Sequence, residues 1–133
     1  MERDKDVYSL SKGYSPFIYQ RKNELIYCFP VSSGHADLTF DFIITELDLE
    51  VIKRDQFRFK ALYFVVFYEA QSTFGTGHSN PRQYTIEEFE CAKNIVLYLP
   101  EKDLKLYIKK FSKQKNLAEH YFQYFSKVMF SNV

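Results

Sequence analysis

Apolar and polar positions follow one rhythm before Thr45 and another after it. In the first part, Phe17-Ile18-Tyr19 and Leu25-Ile26-Tyr27-Cys28-Phe29 flank the polar stretch Arg21-Lys22-Asn23-Glu24. Two β-rich runs around a short polar turn are the pattern of a hairpin. Pro30 has no N–H to give to a ladder, so the second strand is expected to end there. Leu38-Thr39-Phe40-Asp41-Phe42 alternates apolar with polar, as a third strand would. Residues 1–12 are polar and are expected to be loosely ordered.

After Thr45 the period becomes helical. Thr45 and Asp48 have the spacing of a capping box, and Leu47, Val51 and Ile52 would form the apolar stripe of a short helix. Asp55 can cap the next one. Residues 57–70 are almost wholly apolar, which fits a helix buried on most sides or a central strand, and the length of the run favours the helix. Residues 72–84 hold two glycines and a proline and read as a loop. Thr85-Ile86-Glu87-Glu88 is a second capping box, opening a helix with apolar positions Ile86, Phe89, Ala92, Val96 and Leu99 that Pro100 closes. Leu104, Tyr107, Ile108 and Phe111 mark another helix. Asn116 is placed to cap a last one, with stripe Leu117, Tyr121, Tyr124, Phe125 and Val128. Strands first and helices afterwards imply a single α+β domain over 1–133: a small N-terminal antiparallel sheet of about three strands packed against four to five helices.

Composition adds one outlier. The chain has 14 Phe and 11 Tyr but no Trp. Phe is readily absorbed by a core, whereas each Tyr hydroxyl wants a partner or water, and Tyr is favoured at interfaces. Net charge is +1 but unevenly placed. Residues 37–90 carry five basic and ten acidic groups, −5, while residues 91–133 carry eight basic and three acidic groups, +5. Two faces of opposite sign are expected. The start, Met1-Glu2-Arg3-Asp4-Lys5-Asp6, lacks the apolar stretch of a signal peptide, and no run approaches the length that spans a bilayer, so a cytoplasmic protein away from the membrane is expected. There Cys28 and Cys91 would be two reduced, buried thiols.

Candidate chemistry is sparse. His35, His78 and His120 lie far apart, so a small hydrolase would need them to converge in space. No His stands at ligand spacing from either cysteine, so neither a metal nor another cofactor is expected. Gly75-Thr76-Gly77 lacks the flanking residues of a phosphate-binding loop. Lys109-Lys110-Phe111-Ser112-Lys113-Gln114-Lys115 would suit phosphate, but Phe111 fits the core stripe and the whole chain is near neutral, which disfavours a nucleic-acid partner. What stands out is a run of acids, Asp37, Asp41, Glu46, Asp48 and Glu50, unrelieved by a base until Lys53. With His78, Asn80, Arg82 and Tyr84 of the loop, and nearby tyrosines, these are the expected contacts with a protein partner. No catalytic residue is expected.

The hairpin, the third strand Asp37-Leu38-Thr39-Phe40-Asp41-Phe42, and Ile44-Thr45-Glu46-Leu47-Asp48-Leu49-Glu50-Val51-Ile52-Lys53-Arg54-Asp55 resemble small bacterial immunity proteins. These accompany contact-dependent growth inhibition and related polymorphic toxins. The resemblance covers about residues 15–100. It implies a cytoplasmic inhibitor without enzymatic activity that binds a cognate toxin domain, often a nuclease, and covers its active site. Members share no site motif, so no residue's role is carried over. Immunity proteins against basic nucleases are often acidic overall, whereas here only the middle segment is acidic.

Overall fold

The computed structural model describes residues 5–10, 15–32, 37–74, 84–118 and 120–130. Four strands come first: β1 (Lys5–Ser9), β2 (Phe17–Arg21), β3 (Glu24–Ser32) and β4 (Asp37–Ile44). They form an antiparallel meander in the order β1-β2-β3-β4. Five helices follow: α1 (Glu46–Arg54), α2 (Gln56–Phe74), α3 (Ile86–Tyr98), α4 (Glu101–Gln114) and α5 (Tyr121–Met129). The protein is therefore α+β, with its sheet N-terminal. No helix among the described residues is long and apolar enough to cross a membrane.

β2 and β3 are the expected hairpin. Arg21 pairs with Glu24, leaving a two-residue turn in which Lys22 takes a left-handed φ of 56°. Short hairpin turns use such positive φ values to match the strands' twist. Two expectations for the sheet are corrected. The first strand lies within the polar tail: Val7 and Tyr8 are half-buried, and the Tyr8 ring meets Phe59 edge-on at 5.1 Å. An edge strand covered on one face needs few apolar residues, so it reads as a polar end. Nor does Pro30 stop β3, which continues to Ser32. The described pairings of β2 end at Phe17–Cys28, and beyond it, among the described residues, β3 is paired with β4 alone. A missing N–H is tolerated there.

The 19-residue α2 is about 28 Å long and is the centre of the molecule. It packs on β3 and touches α1, α3, α4 and α5. Every residue from Ala61 to Phe67 is buried, so the run has no polar face to show. Its one deep polar group is satisfied: the Tyr63 hydroxyl donates to the Pro30 carbonyl at 2.8 Å. Against the sheet, Phe42 stacks on Phe89 of α3 with ring centroids 4.6 Å apart.

The rings are mostly inside. Among the described tyrosines only Tyr98 and Tyr124 are exposed. The high aromatic content therefore goes chiefly into the core. The end of the chain is also corrected. Asn116, with φ 59°, ends α4: its N–H reaches Lys113 O at 3.1 Å and Leu117 N–H reaches Ser112 O at 2.8 Å. That is a Schellman motif with Asn in the left-handed position. The last helix begins at Tyr121 and buries Phe122 and Phe125, leaving Tyr124 and Val128 outside.

Candidate functional site

A groove of about 870 Å³ opens where the β2–β3 turn meets the β4–α1 junction. Its acids are Glu24, Glu46 and Glu50, and among the described residues no Lys or Arg lines it. Between them stand Ile43 and Leu47, 50% and 57% exposed. Aliphatic groups this exposed, ringed by carboxylates, offer an apolar anchor and a charge pattern together.

The local sequence builds this junction sharply. Thr45 stays extended and caps α1: its hydroxyl accepts the Asp48 N–H at 3.1 Å, and Asp48 Oδ2 accepts the Thr45 N–H at 2.9 Å. Glu46 and Glu50 then fall one turn apart. Such like-charge i, i+4 pairs cost a few tenths of a kcal/mol. α1 buries Asp48, Val51 and Ile52 at i, i+3, i+4, which turns Leu47 outward instead of into the expected stripe.

Asp48 is therefore not a surface contact. It is 2% exposed and pairs with Lys93 of α3, itself 3% exposed, at 2.7 Å. Tyr98 donates to its other oxygen. Burial alone would raise this carboxyl, but the Lys93 ammonium, the Thr45 N–H and the Tyr98 hydroxyl together hold it below the usual range. Burial and the same contact push Tyr98 up to about 12. Glu90 reaches Lys93 from the outer side at 3.0 Å. The cluster orients α1 on α3 and so fixes where Glu46 and Glu50 sit.

The other expected contacts scatter. Asp41 lies mid-strand, accepting from the Tyr19 hydroxyl at 3.1 Å. Asp37 opens β4, and the strand's eight residues put it roughly 24 Å from the groove end. Tyr84 is 3% exposed and donates to Glu69, so it too is corrected from contact to core. His78, Asn80 and Arg82 lie outside the described residues. Of the expected set, the structure brings Glu46 and Glu50 together. Glu24, Ile43 and Leu47 complete the groove and were not singled out by sequence. Glu24 had only its place in a polar turn as a signal.

Cys28 is buried, and burial, then its hydrogen bond to Asp41, push the thiol up to about 12. Cys91, expected to be buried, is exposed on α3. His120 precedes α5 beside Lys105 and Lys109, while His35 and His78 lie outside the described residues. Among the described residues no group of three or more His, Cys, Asp or Glu is placed to hold a metal. Compared with protein-family models, curated proteins and solved structures, the chain gives no match.

Proposed function

We propose that this chain is an immunity protein: a stoichiometric inhibitor that binds a cognate toxin domain and neutralises it by covering its active site. The observation that carries the reading is the groove itself, with Ile43 and Leu47 exposed among Glu24, Glu46 and Glu50 and no basic side chain among the described residues that line it. A surface that holds phosphate backbone is basic, so a nuclease domain is the partner such a groove complements. The inhibitor makes or breaks no bond. It needs a fixed surface, and the buried Asp48–Lys93 pair supplies the rigidity.

The test is co-expression with the protein encoded by the neighbouring gene, followed by calorimetry. One-to-one binding that restores growth, and that weakens in Glu46→Lys/Glu50→Lys, supports the reading. Undiminished toxicity, or binding indifferent to both substitutions, overturns it.

The Lys-rich α4 favours a second reading, a nucleic-acid module, less well. Of its two rings Phe111 is buried and Tyr107 is half-buried with its centroid 6.2 Å from that of Phe111, so the helix offers little face for a base to stack on.

A further inference from the structure

A second surface has the opposite character. Two adjoining hollows, of about 670 and 340 Å³, meet at Phe57, Phe122 and Gln123 between the start of α2, α4 and α5. Phe57, Phe122 and Phe130 supply apolar walls, while Lys60, Lys127, Lys105 and Lys109 stand around them. Among the described residues no carboxylate lines either hollow. Lys105 is engaged by Glu101 at 3.4 Å, an exposed pair of the kind that contributes little. Lys60 lies over the Phe130 ring, 5.8 Å from its centroid. In the same wall, Ser126 Oγ is buried with no hydrogen-bond partner among the described residues.

We propose that this groove binds an acidic peptide segment of a partner protein, one that carries apolar side chains between its Asp and Glu residues. The apolar side chains would seat against the half-buried Phe57 and the carboxylates would face the lysines. Charge complementarity selects the acidic partner, and the apolar wall at Phe57 favours a peptide that brings apolar side chains to it. The groove shares no lining residue with the acid-lined one. The inference therefore stands or falls apart from the toxin reading.

The probe is a short fluorescein-labelled peptide with Phe and Leu spaced among Asp and Glu, followed by anisotropy. Binding should weaken at least about tenfold in Lys60→Glu/Lys127→Glu and when salt is raised from about 0.05 to 0.5 M. Gln123→Trp, an exposed change that plugs the groove without touching charge, should weaken it as well, and circular dichroism checks that each variant is folded. No binding at millimolar peptide overturns the proposal. So does equal binding of a control peptide with Ser in place of Phe and Leu, or tighter binding of a labelled single-stranded oligonucleotide. A concentration-dependent dimer that Lys60→Glu/Lys127→Glu abolishes would give the groove to a second copy, and overturns it too.

Discussion

Lys93 of α3 holds its ammonium 2.7 Å from the Asp48 carboxylate of α1, with both side chains less than 5% exposed. Forty-five positions separate the two in sequence. Asp48 thus has two jobs at once, closing the cap of its own helix and anchoring that helix to another.

Asp48→Asn should be the most damaging single change near the groove. It keeps the shape but leaves Lys93 as a buried cation with Glu90 alone, and breaking a buried pair costs about 3–5 kcal/mol. Urea unfolding gives the number. Asp48→Asn/Lys93→Met, which removes both charges, should recover part of the loss; if the double variant is as unstable as the two single losses summed, the pair is not coupled.

Acid should loosen the same contact. The folded Asp48 pKa is lowered, so its stabilisation is complete above the unfolded value of 3.8 and is lost as pH falls through the folded one. Glu69 acts with the opposite sign: burial outweighs the Tyr84 bond and raises it, so ionising it opposes folding as pH climbs through 4.5 toward the folded pKa. Melting temperature against pH should fall on the acid limb in the native protein and less so in Asp48→Asn. Glu69→Gln should remove a loss of stability just above pH 4.5.

Glu46→Lys/Glu50→Lys should separate binding from folding. Both glutamates are exposed and reversing both leaves the i, i+4 repulsion in place, but Glu46 stands in the first turn of α1, where an acid suits the helix dipole, so stability should fall by no more than about 1 kcal/mol. Partner affinity should nevertheless drop. A matched fall in melting temperature would mean that the glutamates serve the fold.

The two thiols should react as a fast and a silent pair. At mild alkaline pH a disulfide reagent should modify Cys91 promptly and reach Cys28 only when denaturant opens the sheet. Two fast equivalents in native protein would contradict the burial of Cys28.

Asn116→Ala should destabilise by about 1–2 kcal/mol, because Ala dislikes the left-handed φ that Asn116 adopts, whereas Asn116→Gly should be near neutral. Chemical unfolding of the two variants side by side tests the motif. Equal losses would show that the Asn side chain matters more than its backbone.

Where local pattern decided structure, the sequence was readable. Thr45 and Thr85 sit three residues before an acid and cap helices; the polar stretch between Tyr19 and Leu25 turns a hairpin; the long apolar run is a helix. Reading failed where the deciding partner is distant or the neighbour is invisible. Nothing near Asp48 announces Lys93, so it looked like one more surface acid. Asn116 serves equally as a cap or a left-handed stop, and the hydrogen bonds back to Ser112 and Lys113 choose the stop. Tyr84 looked like a loop contact until Glu69 received its hydroxyl. The acids of the groove were legible as charge, but Glu24 joins Glu46 and Glu50 only through strand pairing.

The place of α2 in the fold has a consequence for synthesis. On the ribosome the four strands emerge first, with Ile18, Tyr27, Phe29 and Val31 facing nothing until the helix that covers them has been made. A nascent chain stalled with the strands outside and α2 still within the exit tunnel would display a naked apolar sheet, so slowing translation at that point should raise misfolding more than the same delay placed after α2 has emerged.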